Sequence, residues 1–315
     1  MSTPTATQAA QILADLTSDD DFYSGVPTGM TSAATAVARP VALAPVGERM
    51  RPNGQIYKPR QIGPHEDLAL MRAAQLRRES VLLYGPPGTG KTAMIEAAYH
   101  DAPGLESVIG SADLTEADLV GTFVQDPVTR AFTWAPGPLH RSVLKDVPLL
   151  VDEIALIDPK VLSILYPLMD GRSVLQITMN PQLPPLKLGP RWMVVAACNP
   201  DVPGAQLSEA LKSRFAHHLL VGTDWQLARE LGVPDTVVTI AENLDRRRIK
   251  GEITWSPQLR ELLSFRDLAP AYGPQYAAAA LAASAPEHDR DELITALRKF
   301  FPNVTAARVE GRYGA

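Results

Sequence analysis

The sequence contains little cysteine, few aromatic residues and no long apolar run. Of its 315 residues one is a cysteine, Cys198, so the chain cannot form an internal disulfide, which is typical of a protein in a reducing cytoplasm. No uninterrupted apolar stretch is long enough to span a bilayer. Residues 1–10 lack the basic start and the apolar block of a secretion signal. We therefore expect a cytoplasmic protein that does not enter a membrane.

Basic residues are also fewer than acidic residues. The chain has 30 Lys and Arg against 35 Asp and Glu, a net charge of −5 at pH 7, which argues against a broadly basic surface for nucleic acid. The basic run from Arg246 to Lys250 has no aromatic residues among its cations that could stack on bases. We interpret it as a solvated helix end. A nucleic-acid partner is therefore disfavoured, although net charge does not exclude a local basic pore.

The apolar residues, 45% of the chain, are distributed unevenly and divide it into three parts. Residues 1–50 are rich in Ala, Thr, Ser and Pro, which predicts a flexible N-terminal extension, with a partner-binding peptide as the alternative. Residues 51–223 alternate short apolar runs with helical patterns, which is typical of a parallel sheet covered by helices on both faces. Residues 224–315 show helical patterns only, so we expect a small all-helical domain there.

The pattern is specific enough to place most elements. Five buried strands are predicted at 81–84, 107–109, 149–151, 192–197 and 218–221. Helices are predicted at 66–78, 91–100, 112–120 with Ser111 as its cap, 158–169, 236–248, 256–265, 276–283 and 291–300.

A glycine-rich loop follows the first of these strands and precedes a helix. It fits the phosphate-loop pattern G-x-x-x-x-G-K-[ST] with Gly85, Pro86, Pro87, Gly88, Thr89, Gly90, Lys91 and Thr92. Glycines allow the backbone amides to wrap closely around phosphates, and the positive end of the following helix adds to the attraction. Lys91 supplies a point charge for the phosphates and the Thr92 hydroxyl is a ligand for Mg²⁺. The loop predicts binding of ATP with Mg²⁺.

A second apolar strand ends in two adjacent carboxylates, Asp152 and Glu153. Ligands of open α/β sheets bind at the carboxyl ends of the strands, so this pair is expected beside the phosphate loop. In such a site the first acid holds Mg²⁺ and the second activates the attacking water as general base. We therefore predict that Asp152 is a metal-binding residue and that Glu153 is catalytic.

The order of these segments resembles the AAA+ superfamily, and within it the MoxR-type ATPases, including the CbbQ/NorQ-like branch. The resemblance covers roughly residues 60–265 and includes two further segments, 118–139, with a turn at Asp126 and Pro127, and the proline-rich 173–188. Both look like the β-hairpins that this group inserts in its α/β domain. The resemblance implies a P-loop AAA+ domain with a parallel five-stranded sheet flanked by helices, followed by a small all-helical lid domain.

The resemblance also implies three more site residues. Asn199, which follows the fourth strand, matches the first sensor, which contacts the γ-phosphate or the lytic water. Arg214 matches the arginine finger that reaches the ATP of a neighbouring subunit, with Lys212 as the alternative. Arg260 matches the second sensor of the helical lid, although it lies farther from the preceding serine than is common. Residues near Ile62 and Gly63 are expected to line the adenine pocket.

The resemblance implies an ATPase that works as a hexameric ring and remodels or activates a partner protein or complex. MoxR-like proteins act with a partner that carries a von Willebrand factor type A domain, which this chain lacks. The alternative is a DNA-directed motor, such as a helicase or a replication or mobile-element ATPase, because Ser213, Arg214 and Phe215 also resemble the finger segment of MCM-type helicases. A nucleotide switch without turnover is disfavoured by Glu153.

Overall fold

Strands and helices alternate up to about residue 220, and the chain beyond is helical. The computed structural model describes residues 43–101, 104–200, 202 and 204–309. The strands are β1 (Arg49–Met50), β2 (Ile56–Tyr57), β3 (Gln61–Ile62), β4 (His65–Glu66), β5 (Val81–Tyr84), β6 (Glu106–Ile109), β7 (Gly121–Gln125), β8 (Phe132–Pro136), β9 (Leu149–Asp152), β10 (Val174–Leu175), β11 (Leu186–Lys187), β12 (Val194–Cys198) and β13 (His217–Leu220).

The helices lie between and after these strands. They are α1 (Asp67–Arg77), α2 (Lys91–Tyr99), α3 (Glu116–Val120), α4 (Pro138–Lys145), α5 (Pro159–Leu162), α6 (Tyr166–Met169), α7 (Glu209–Lys212), α8 (Trp225–Glu230), α9 (Asp235–Ile249), α10 (Leu259–Tyr272), α11 (Pro274–Ser284) and α12 (Glu287–Leu297). Two short 3₁₀ turns, Ile154–Leu156 and Ser163–Leu165, complete the α/β part.

The central sheet has five parallel strands in the order β13-β5-β12-β9-β6. The middle strand, β12, is buried along its whole length, as expected for a strand covered on both faces. One apolar core, which includes Leu68 and Ile95, fills the face covered by α1 and α2. Another, which includes Leu119 and Leu165, fills the opposite face. The predicted parallel five-stranded sheet flanked by helices is confirmed.

The C-terminal helices α8 to α12 enclose a core of their own, which includes Val237, Phe265 and Leu281. The predicted helical end of the chain is therefore present. The predicted division near residue 50 falls between β1 and β2, which pair as an antiparallel hairpin. Residues 1–42 of the predicted extension lie outside the described residues, so the three-part division of the chain stays a prediction.

Four helices differ from their predicted bounds. The helix expected at 256–265 spans Leu259–Tyr272, and the one expected at 291–300 spans Glu287–Leu297. The other two differ for local reasons. The helix expected at 112–120 begins at Glu116, because Thr115 and Asp118 cap it reciprocally through side chain and backbone, so Ser111 is not its cap. The helix expected at 158–169 does begin after the Asp158 cap, but a 3₁₀ turn at Ser163–Leu165 divides it. Pro167, which has no backbone N–H, follows this turn and removes a helical hydrogen bond.

Both predicted hairpins are present. β7 and β8 pair from Gly121 opposite Pro136 to Gln125 opposite Phe132, and the Asp126 carboxylate accepts from the backbone N–H groups of the turn. β10 and β11 form the second, shorter hairpin. Within the described residues, no helix combines the length and the apolar character needed to cross a membrane.

Candidate active site

The phosphate loop joins β5 to α2 at the carboxyl edge of the sheet. Gly85, Gly88 and Gly90 have φ angles of 146°, 78° and 88°, a region that residues with a Cβ rarely adopt. A Cβ on Gly85 would lie 2.4 Å from the carbonyl oxygen of Val221, directly after β13. The loop is therefore pressed against the neighbouring strand at a position where only glycine fits.

The side chain of Lys91 lies inside this loop. Its Nζ donates hydrogen bonds of 2.8 Å to the carbonyl oxygens of Gly85 and Pro86. Burial lowers the pKa of Lys91, and the nearby carboxylates of Glu153 and Asp152 act in the opposite direction. The ammonium group is thus held where the loop would surround a phosphate group.

Thr92 and Asp152 meet beside the loop. The Thr92 hydroxyl donates to Asp152 Oδ2 over 2.9 Å, which brings two oxygen ligands together at the end of β9. Hydroxyl and carboxylate oxygens suit Mg²⁺, which usually takes one or two protein ligands and completes its shell with phosphates and water. Among the described residues no cluster of three or more His, Cys, Asp or Glu could hold a metal alone. The pair therefore fits a Mg²⁺ that arrives with a nucleotide.

Glu153 has a backbone conformation that is rare for its type. Its φ is 51°, and its N–H donates to Asp152 Oδ1 over 3.0 Å. The backbone is confined here, since a Cβ on Gly110 would lie 2.4 Å from the Glu153 carbonyl oxygen. Such strained non-glycine residues are concentrated in functional sites because the surrounding structure holds them in place. Glu153 lines the cleft at this edge of the sheet.

The two predicted sensors lie at the same edge. Asn199 is buried and follows β12, which lies between the strands that carry the phosphate loop and Asp152. Arg260 is exposed near the start of α10, and its backbone N–H donates to the Gly88 carbonyl over 3.2 Å. A Cβ on Gly88 would lie 3.0 Å from the Cβ of Arg260. The helical part of the chain therefore touches the phosphate loop directly.

Most of the predicted site residues line one cleft of about 790 Å³, within the size range of nucleotide and drug-sized sites, but Asn199 does not line it. Its walls include the loop from Pro87 to Thr92, the pair Asp152 and Glu153, Arg260, and apolar residues from the β2 hairpin and the helical domain, such as Ile56, Leu231 and Leu263. Ile62 lines a separate cleft of about 680 Å³, and Gly63 lines neither. The sequence did not predict three further residues near the site, because no motif marks them. They are Tyr57, Arg60 and Asp67.

Arg214 lies apart from this group. It lies shortly before β13, whose first residue, His217, pairs with Val81 at the start of β5. Because the phosphate loop leaves the other end of β5, Arg214 lies at the opposite edge of the sheet. Its Nη2 pairs with Asp170 at 2.7 Å, its Nη1 donates to the Ala210 carbonyl, and its guanidinium lies 4.5 Å from the ring centroid of Tyr166.

The basic run that follows in the helical domain is neutralised within the chain. Arg246 pairs with Glu242, Arg247 with Glu252 and Glu292, and Arg248 with Asp245. These arginines already have carboxylate partners, which supports the interpretation of the run as a helix end.

Sequence comparisons place this geometry in a family. The family model of the AAA domain (dynein-related subfamily) matches residues 80–215, which include the phosphate loop, the acidic pair, Asn199 and Arg214. Protein NorQ of Paracoccus denitrificans (strain Pd 1222) is 28% identical over 219 residues, 67% of this chain and 75% of that protein. Residues 80–215 of the chain therefore match an AAA domain, and over most of its length the chain is similar to NorQ, a MoxR-type AAA+ ATPase.

Two further matches have lower identity or cover less of the chains. Midasin of Dictyostelium discoideum is 32% identical over 97 residues, 30% of this chain and 2% of that protein. A crystal structure from Cytophaga hutchinsonii, provisionally assigned as an ATPase, aligns over 71% of this chain and 78% of that chain, with 17% identity and a TM-score of 0.42.

Proposed function

We propose that this AAA+ ATPase hydrolyses ATP with Mg²⁺ in a ring, as a hexamer, and uses the energy to remodel or activate a partner protein or complex. Neighbouring subunits share each active site. The partner is a separate protein, and a von Willebrand factor type A domain protein is the kind that the family resemblance favours. The protein works in the cytoplasm.

Within one subunit, the loop from Gly85 to Thr92 holds the phosphates, and Lys91 balances their charge. Thr92 and Asp152 hold the Mg²⁺, which when bound neutralises charge on the phosphate oxygens. Glu153 takes the proton of the attacking water as general base. Asn199, between the loop and the acidic pair, keeps that water in line. These roles fit the single cleft that the loop and both acids line.

The position of Arg214 is the observation that carries the shared-site proposal. It lies at the amino edge of the sheet, and a four-residue strand such as β5 separates the two edges by about 10 Å. Arg214 is not among the residues that line the cleft of its own subunit. An arginine suited to pair with phosphate oxygens, placed away from its own site, is suited to complete the site of a neighbour.

The contact between the lid and the phosphate loop supports the transmission of motion. The backbone N–H of Arg260 bonds the Gly88 carbonyl, and Thr223, where the chain enters the lid, donates to the Gln258 side chain over 2.6 Å. We infer that the binding of phosphates in the loop shifts the position of the start of α10. We infer that the lid changes its angle with the nucleotide state, and that the hairpins pass this motion to the partner.

The longer hairpin, formed by β7 and β8, has the exposed apolar side chains expected of a protein-binding surface. Phe123, Val124, Val128 and Phe132 are all exposed on it. Exposed apolar side chains concentrated on one hairpin are typical of interaction sites.

Replacing Arg214 by Ala tests the shared site. We expect ATP hydrolysis to fall about 10³-fold or more, while ATP binding to purified protein changes little, because the finger acts on the transition state of a neighbour. Lys212→Ala, which removes the alternative cation two positions away, is the matched control and should keep its turnover. In the wild type, activity per subunit should rise with protein concentration. Normal turnover by Arg214→Ala would overturn the shared-site proposal.

A further inference from the structure

Arg60 forms a hydrogen bond with the backbone of the phosphate loop. Its Nη1 donates to the carbonyl oxygen of Thr89 over 3.1 Å and to that of Gly222 over 3.3 Å. Thr89 is a fully buried residue of the loop, and Gly222 lies where the chain leaves β13 for the lid. One guanidinium group thus joins the loop to the connection between the α/β and helical parts.

Two buried residues fix this arginine. Asp67 is fully buried at the start of α1, accepts a hydrogen bond from the Tyr57 hydroxyl, and lies 3.7 Å from Arg60 Nε. The Tyr57 hydroxyl also accepts from Arg60 Nε over 3.2 Å. Burial raises the pKa of Asp67, and the hydrogen bonds and the Arg60 charge oppose this effect. Since a buried carboxylate requires a charge partner, Asp67 holds the guanidinium in one place.

The contact with Thr89 sets the direction of a peptide group. In a planar trans peptide the carbonyl oxygen and the following N–H point to opposite sides. Because Arg60 binds the Thr89 oxygen, the Gly90 N–H of the same peptide group is turned away from the guanidinium. Gly90 is one of the glycines whose amides a phosphate loop offers to phosphates.

We propose that Arg60 is a positioning residue for phosphate binding, which holds the Thr89–Gly90 peptide so that the Gly90 N–H faces the β-phosphate of the nucleotide. Through Gly222 the same guanidinium joins the occupied loop to the chain that leads into the lid. Arg60 acts on phosphate binding through the backbone of the loop.

The Arg60 guanidinium is incompletely hydrogen-bonded in the folded protein. Its Nη2 is buried without a hydrogen-bond partner, and it lies 3.8 Å from the position that a Cβ on Gly90 would occupy. A buried donor is unfavourable as long as no partner bonds it. The guanidinium does place positive charge directly behind the loop, where it favours the binding of an anion.

Nucleotide binding by Arg60→Gln tests this proposal. Affinities for AMP, ADP and ATP should be measured on purified protein by calorimetry, together with the thermal midpoint. We expect ADP and ATP to bind about tenfold or more weakly while AMP, which has no β-phosphate, is unaffected. Arg72→Gln is the matched control, since Arg72 also pairs with an aspartate and has a buried, unpartnered nitrogen, its Nε, but lines neither cleft. It should bind all three nucleotides as the wild type does.

Arg60→Lys is the second variant, in case Arg60→Gln does not fold. It keeps a positive charge beside Asp67, but it has no planar fork to bond two carbonyl groups from a fixed position. We expect it to fold with a thermal midpoint near that of the wild type and still to lose ADP affinity several-fold. An equal loss for AMP, ADP and ATP, or wild-type ADP affinity in both folded variants, would overturn the proposal. Binding to single subunits does not need Arg214, so this test is independent of ring assembly.

Discussion

At the scale of single residues, the active site is built from side chains that local geometry confines. Glu153 adopts a left-handed backbone conformation, and the close approach of Gly110 leaves its carbonyl little freedom. Lys91 is held by two carbonyl groups of the loop, and Thr92 by Asp152. Preorganisation of this kind reduces the cost of ordering the groups when substrate binds.

Glu153→Gln is the residue-scale prediction. The amide keeps the size of the side chain but cannot take a proton, so we expect ATP to bind while turnover falls about 10²-fold to 10⁴-fold. Steady-state phosphate release and nucleotide affinity should be measured together. Glu116→Gln, an exposed glutamate at the start of α3, is the control and should be unchanged. Unchanged turnover in Glu153→Gln would rule out Glu153 as the general base.

At the scale of elements, an aromatic contact joins the two strands of the longer hairpin, and a hydrogen bond anchors the hairpin to α4. Trp134 on β8 packs edge-on against Phe123 of β7, and its indole Nε1 donates to Nδ1 of His140 on α4 over 3.2 Å. His140 is buried, and burial lowers its pKa. Because Nδ1 accepts this bond, His140 must be neutral there to hold the hairpin.

This contact predicts a pH-dependent stability. As the pH falls, His140 is protonated near pH 6.5 in the unfolded chain but only at a lower pH in the folded protein. The stabilising contribution of neutral His140 is therefore complete above about pH 6.5. It is lost as pH falls from about 6.5 towards the lower folded pKa. Urea unfolding of wild type and His140→Asn between pH 7.5 and 5.5 measures it. The stability advantage of the wild type should shrink as pH falls; an advantage that is constant or grows would be contrary to this view.

Elements of the fold were predictable from sequence to different degrees. The five strands were placed within about two residues, since runs such as Val81 to Tyr84 are apolar on both faces and bounded by loop residues. The start of α3 was wrong because two potential caps, Ser111 and Thr115, compete, and only Thr115 has an acid three positions later that completes the capping box.

Long-range contacts of the site could not be predicted in the same way. The phosphate loop and the acidic pair have local motifs, so their meeting follows from the sheet topology. Arg60 contacts Gly222 across 162 positions of sequence, and no motif relates the two. The ion pair of Arg214 with Asp170 likewise depends on how α6 and α7 pack, which periodicity does not specify.

At the scale of the whole molecule, one subunit contains most of an active site at one edge of the sheet and a candidate finger at the other. The phosphate loop, Asp152, Glu153 and Arg260 line one cleft, and Arg214 lies outside it. A head-to-tail arrangement of subunits brings such different surfaces together and closes into a ring when the rotation permits. This arrangement supports our proposal that the site is completed at the interface between subunits.

Mixing two inactive variants tests this central proposal most directly. Glu153→Gln subunits lack the base but carry the finger, whereas Arg214→Ala subunits lack the finger but carry the base. In a random equimolar ring, about a quarter of the interfaces combine an intact base with an intact finger from the neighbour. ATP turnover should therefore recover to about a quarter of the wild-type rate on mixing, although each variant alone is inactive. A mixture as inactive as its components would contradict a site completed by Arg214 of a neighbouring subunit.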